Sequence, residues 1–140
     1  MLGKVCTKPV VTAPPTMSVA EAARIMRAKN VGTVVVVNAG QPIGLLTDRD
    51  ILVDVLAQGK HADAVPVSEV MRKEPVVIGA EEGIFDAAKL FAKTGVRRLP
   101  VVAKDGKLLG IITMDDVLML LGNEMGHIAS ALSAELRSAA

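Results

Sequence analysis

At 140 residues the chain is long enough for one compact unit, or two small fused ones, with a substantial apolar core. Its 51% hydrophobic content includes two Phe and no Trp or Tyr, so a binding cavity here has aliphatic walls, and aromatic platforms for single-stranded nucleic acid are missing. Sixteen basic residues against fifteen acidic ones leave a formal charge of +1, too little for the long-range attraction a nucleic-acid binder uses.

The single cysteine, Cys6, excludes an intramolecular disulfide and a multi-cysteine metal site, and His61 and His127 lie far apart in sequence. Met1–Lys8 has no signal-like apolar core, and no apolar run approaches the ~18 residues of a membrane span. The expectation is a reduced, cytoplasmic setting with no membrane and no nucleic-acid partner.

Val10-Val11-Thr12 reads as a short strand stopped by Pro14-Pro15. Ser18-Val19-Ala20-Glu21 is a capping box opening a helix that carries Val19, Ala22, Ala23 and Met26 on one face. Thr33–Val37 is a β-branched run without alternation, as expected of a strand covered on both faces. A turn at Asn38–Pro42 leads to strand Ile43–Thr47 and helix Asp48–Ala57, which ends at Gly59. The aperiodic stretch after it reads as a linker, with one helical turn near Ser68–Met71. The grammar then resumes with strand Val76–Ile78, a helix near Glu82–Lys93, strand Arg98–Val102, a turn with Asp105-Gly106, strand Leu108–Thr113 and a helix from Met114.

The two halves are copies. Ala22 and Ala87, Val31 and Val96, and Val37 and Val102 are each 65 apart, whereas Gly44 and Gly110, Thr47 and Thr113, and Asp50 and Asp116 are each 66 apart. One added residue in the second hairpin turn accounts for the change. The expected fold is mixed α/β (α+β): tandem β-α-β-β-α units packed by a pseudo-twofold, each covering a face its twin leaves open. Residues 8–58 form the first repeat, 59–70 the linker, 71–122 the second repeat and 123–140 a C-terminal helix.

In both copies an apolar strand runs into Thr, which opens a helix whose third residue is Asp: Gly44–Ile51 and Gly110–Val117. The Thr hydroxyl and the free N–H groups of a helix N-terminus suit a phosphate, and the carboxylate can accept two hydrogen bonds from a ribose diol. Thr-x-x-Asp is equally the pattern of a capping box. Its duplication is what favours two nucleotide half-sites.

From about Val10 to Leu121 the sequence resembles a tandem pair of CBS domains, named after cystathionine β-synthase, the arrangement called a Bateman module. The resemblance rests on Val19–Ala23, Val31–Val36 and Gly44–Ile51 in the first half, and on Val96–Val102 and Gly110–Val117 in the second. It implies a non-catalytic regulatory module that binds an adenosyl ligand such as AMP, ADP, ATP, NAD or S-adenosylmethionine between its repeats, with no obligatory cofactor. Carried onto this chain, it implies that Thr47 and Thr113 meet phosphate and that Asp50 and Asp116 hold ribose hydroxyls. Backbone near Thr12 and Val77, with the first residues of strands Thr33–Val37 and Arg98–Val102, would frame the base. Arg97 and Arg98 occupy positions that bind phosphate in some members, and they replace Gly32 and Thr33 of the first half.

Strand alternation is expected to send Arg97 and Arg98 to opposite faces. Their alternative role is a solvated edge or a salt bridge to Asp115. In the first half Asp48 follows Thr47 and opposes phosphate, with Arg49 as an offset; the second has neutral Met114. The site of Thr113 and Asp116 is therefore expected to be the tighter for phosphorylated ligands. Beyond Leu121, Met125, Ile128, Leu132 and Leu136 recur at helical spacing, which fits either docking on the chain's own core or a homodimer contact, the latter common in the resembled family.

Two functions fit this reading: a nucleotide sensor that signals to an effector protein not identified by the sequence, or a ligand-free structural dimerisation module or regulatory subunit. An enzyme is disfavoured, because no metal cluster, nucleophile–base pair or glycine-rich dinucleotide fingerprint is legible.

Overall fold

The structure, a computed structural model, describes residues 1–139. The first half runs β1 (Thr12–Ala13), α2 (Val19–Lys29), β2 (Thr33–Asn38), β3 (Gln41–Thr47) and α3 (Asp48–Ile51), preceded by a short helix α1 (Leu2–Val5). The second runs β5 (Ile78–Gly79), α5 (Ile84–Thr94), β6 (Arg98–Val102), β7 (Leu108–Thr113) and α6 (Met114–Ala139), preceded by α4 (Val67–Val70) and β4 (Arg72–Lys73). Each is the β-α-β-β-α unit expected from the sequence. In each, a short parallel strand pairs with the first strand of an antiparallel hairpin.

Local chemistry sets the boundaries. Ser18 accepts from Glu21 N and caps α2, and Asn30 ends it in the left-handed region. The return bond of the capping box expected there is absent, and Ser18 caps alone. The first hairpin turns on Ala39-Gly40, both with positive φ, so Asn38, Gln41 and Pro42 belong to the strands and not to the turn. The second hairpin inserts the extra residue inferred from the offsets: Val37 pairs with Pro42, whereas Val102 pairs with Leu108. Two strands sit later than the sequence suggests. The parallel ladders begin only at Thr12 and Ile78, leaving Val10, Val11, Val76 and Val77 outside regular structure. The helix expected over Asp48–Ala57 is α-helical for one turn and then widens to a π-helix over Leu52–Leu56.

Val34, Val35 and Val36 are all fully buried, as a strand covered on both faces requires. Val34 and Val36 join the first core with Val19, Ala22 and Leu46, while Leu99 and Val101 join the second with Ala87, Phe91 and Ile112. Val35 and Pro100, 65 positions apart, are fully buried yet belong to neither core. Alternation turns them to the opposite face of each sheet.

Each half is completed by the segment that leads into the other. Val67 and Val70 of α4 enter the first core, and β4 pairs with β3 through Arg72 and Leu45. Leu2 and Cys6 enter the second core, and Thr7 bridges Ile111 of β7. The anchoring bonds match: Val67 N donates to Met17 O, and Leu2 N to Glu82 O, both at 2.8 Å. This reciprocal exchange is the physical content of the expected pseudo-twofold.

The helix launched at Met114 and the C-terminal helix expected at 123–140 form one 26-residue element over the described residues. Docking of its stripe on the chain's own core is overturned. Met125, Ile128, Leu132 and Leu136 are between 55% and 73% exposed, because the helix runs past the last sheet residue able to cover it.

Candidate functional site between the repeats

Both Thr-x-x-Asp corners form complete reciprocal caps. Thr47 N donates to Asp50 Oδ2 at 2.9 Å while Asp50 N donates to Thr47 Oγ1 at 3.1 Å. The second corner repeats this, with Thr113 N to Asp116 Oδ2 at 2.8 Å and Asp116 N to Thr113 Oγ1 at 3.1 Å. The remaining oxygen of Asp50, a residue only 5% exposed, lies 3.3 Å from Arg72 Nε. Asp116 makes no ion pair among the described residues.

These bonds correct one expectation. At the first corner Asp48 N donates to Gly32 O, Arg49 N to Asp48 Oδ1, and Asp50 N to Thr47 Oγ1. The opening N–H groups of α3 are therefore taken by the protein itself. An anion arriving there must be held by side chains.

Suitable side chains gather nearby. A cavity of about 490 Å³ lies between the halves, within the usual range for small-molecule sites. Its first-half wall is Thr33, Leu45, Thr47, Asp48, Arg49 and Arg72; its second-half wall is Thr94-Gly95-Val96-Arg97-Arg98. Four guanidiniums thus face one carboxylate. Arg97 lies 3.6 Å from Asp115, while Arg98 makes no ion pair among the described residues.

Arg97 and Arg98 line the same cavity, against the alternation expected from the sequence. β6 begins at Arg98, so Arg97 sits in the non-strand bend after left-handed Gly95, where period two does not apply. The arginine pair also adjoins the second corner: Arg98 pairs with Thr113, and Arg97 O accepts from Met114 N. Both share the cavity with Thr47, whereas neither Thr113 nor Asp116 lines it.

Thr33 Oγ1 is buried on this wall with no hydrogen-bond partner. An orphaned hydroxyl costs about 1–3 kcal/mol unless something pairs with it. Leu45 supplies the aliphatic wall expected in place of aromatics.

Not every candidate residue joins this group. Thr12 is exposed on β1, opposite Val35, and does not line the cavity. Val77, 38% exposed, faces a separate groove of about 410 Å³ with Pro42, Ile43, Pro75 and Val102 near the hairpin ends. Asp50 is one residue beyond the lining stretch Thr47–Arg49, buried under Arg72.

Sequence reasoning missed Arg72 and the Thr33 hydroxyl. Arg72 stands where the offset of 65 places Thr7, the same kind of basic asymmetry that singled out Arg97 and Arg98.

Comparison with known proteins now places this architecture. The CBS domain model matches twice, over residues 2–56 and 67–123. The chain is 40% identical over 86% of its length to the CBS domain-containing protein YhcV of Bacillus subtilis, covering 83% of it. It spans 61% of an archaeal relative from Methanopyrus kandleri that is 38% identical. Among solved structures, the CBS domain pair of protein MJ0100, in complex with 5′-methylthioadenosine and S-adenosyl-L-methionine, aligns with a TM-score of 0.77 at 27% identity, covering 89% of this chain and 97% of that one. CBSX2 in complex with AMP aligns with a TM-score of 0.74 at 28% identity, with the same coverage. The chain belongs to the CBS domain family and carries two CBS domains in tandem.

Proposed function

We propose that this CBS pair is a non-catalytic sensor of phosphorylated adenosyl ligands. A nucleotide enters between the repeats, favours one packing of the halves, and so changes a surface read by an effector protein. The observation that carries this reading is the inter-repeat cavity lined by four arginines and one carboxylate. Guanidiniums bind phosphate oxygens through charge-assisted, often bidentate bonds. The ligands of the two solved relatives make an adenosyl group the class to test.

In this reading Arg49, Arg72, Arg97 and Arg98 hold the phosphates beside Thr47. Asp50 and Asp116 hold ribose hydroxyls, and backbone near Thr12 and Val77 frames the base, with Thr113 the phosphate contact of a second half-site. NAD falls in the same ligand class, and a reduced, cytoplasmic setting suits both the ligands and the buried thiol of Cys6.

Isothermal calorimetry with AMP, ADP, ATP, NAD and S-adenosylmethionine tests the proposal. Affinity is expected to rise with phosphate number, because the cavity's cations outnumber its carboxylate. Tighter binding of S-adenosylmethionine than of ATP would overturn the phosphate reading.

One observation favours a second reading, a ligand-free structural dimerisation module or regulatory subunit: both Thr-x-x-Asp corners are already satisfied as caps. No heat with any of the five ligands would select it.

A further inference from the structure

We propose that Arg72 is a latch on the first corner: it bars Asp50 to a nucleoside without phosphate and releases it when a phosphate takes the guanidinium. This rests on the nucleotide reading above, in which Asp50 holds a ribose and Arg72 a phosphate. In the ligand-free chain those two roles exclude each other. Asp50 Oδ2 accepts from Thr47 N at 2.9 Å and Oδ1 from Arg72 Nε at 3.3 Å, and the residue is buried. A ribose diol reaches this carboxylate only where Arg72 has left it.

The other half shows the same corner without a latch. Arg72 of β4 pairs with Leu45 of β3, and Thr7 bridges Ile111 of β7 at the equivalent place. Thr7 brings no charge, and Asp116 makes no ion pair among the described residues. Asp116 is accordingly half-buried where Asp50 is buried. Two corners with identical caps thus differ in one covering side chain.

Charge decides when the latch opens. Stripping the cation from a buried carboxylate leaves an unpaired charge, which a neutral diol compensates poorly. A phosphate in the adjoining cavity, which Arg72 also lines, receives the same guanidinium, so the pairing is exchanged and not lost. The contact suits such an exchange. It is a single bond, longer than usual, and the Arg72 side chain is 70% exposed. The first corner is therefore selective for phosphorylated nucleosides, whereas the corner of Asp116 accepts a nucleoside with or without phosphate.

Equilibrium dialysis of the full chain against labelled adenosine tests the latch. At saturation about one adenosine is expected per chain, at the second corner, and about two once excess inorganic tripolyphosphate draws Arg72 away. Arg72→Thr, which copies the other half, is expected to bind about two without tripolyphosphate, while its ATP affinity falls about 10-fold on calorimetry. Arg98→Ala also removes a cavity cation but uncovers no carboxylate, so its adenosine binding is expected to match wild type. Wild-type adenosine binding that tripolyphosphate fails to raise would overturn the latch, and that measurement decides even where Arg72→Thr does not fold. A rise in Arg98→Ala equal to that in Arg72→Thr would also overturn it, by making the effect one of net charge. Failure of the wild type to bind ATP removes the sensor reading and the latch together; ATP binding with unresponsive adenosine removes the latch alone.

Discussion

Cys6, from the segment ahead of the first repeat, packs its sulfur against Gly110 at the start of the second repeat's Thr-x-x-Asp corner. A Cβ on Gly110 would also lie 3.0 Å from Thr7 O and 3.1 Å from Cys6 Cβ. In the other half Met71 packs on Gly44 in the same way, with Arg72 O at 3.1 Å from the added Cβ. Glycine stands at both places because the exchanged segments cross there, and neither position has positive φ. Gly110→Ala is expected to cost about 1–3 kcal/mol by overpacking, a fall in Tm of roughly 3–10 °C. Gly44→Ala is expected to cost less, since Met71, whose Cγ would lie 2.8 Å from the added Cβ, has three rotatable bonds with which to withdraw and Cys6 only one. Thermal unfolding ranks the two. Adding Cys6→Ala should recover part of the Gly110→Ala loss; strictly additive losses would show that the crossing contact is not the cause.

Thr33 offers a test of whether its buried hydroxyl is structural or reaches the ligand. Thr33→Val keeps the β-branched shape and removes the unpartnered hydroxyl. The protein is expected to hold its stability or gain up to ~1 kcal/mol, with ATP affinity unchanged because Oγ1 is closed off from the cavity. A fall in ATP affinity on calorimetry would show instead that the ligand reaches this hydroxyl.

What the sequence made legible was whatever local pattern determines. Arg98–Val102 and Leu108–Thr113 were readable to the residue, because β-branched and aliphatic runs bounded by Gly and Asp leave no competing register. The Thr-x-x-Asp corners were readable both as caps and as candidate sites, and the caps are present. What escaped depends on the other half of the molecule. Leu2–Val5 and Val67–Val70 are single helical turns too short for periodicity, and their burial is fixed by a partner sheet far along the chain. Arg72 reaches the cavity only because β4 adds to the sheet of the opposite repeat. The π-helical turn at Leu52–Leu56 has no residue signature at all.

A carboxylate in the second hairpin turn adds a test by pH. Asp105 is held below its ordinary value chiefly by the Lys107 backbone N–H, which donates to Oδ1 at 3.1 Å, with the Lys107 ammonium assisting. A lowered folded value stabilises the protein above the unfolded carboxylate range of about 4, and that stabilisation is lost as pH falls through the lowered value. Asp105→Asn is therefore expected to sit slightly below wild type in Tm at pH 7 and to match it near pH 2–3. The side chain is 57% exposed, which keeps the difference small. An equal gap at both pH values would assign the effect to turn geometry and not to charge.

Arg97 and Arg98 separate the sensor from the ligand-free module most directly. Arg98 is exposed and spends nothing on an ion pair, so Arg98→Ala is expected to leave the ligand-free Tm unchanged while lowering ATP affinity roughly 10–100-fold, the worth of a charge-assisted contact. Arg97 is already drawn to Asp115 at 3.6 Å, so Arg97→Ala should cost less, about 3–10-fold. The same pair predicts a gain: Asp115→Asn removes a carboxylate beside the cavity, frees Arg97 and should tighten ATP binding about 2–5-fold at low salt. Calorimetry on the three variants reads all three signs. Weakening by Asp115→Asn would mean that the ion pair holds Arg97 in its binding position, and equal affinities throughout would remove the arginines from recognition and leave the cavity to a structural role.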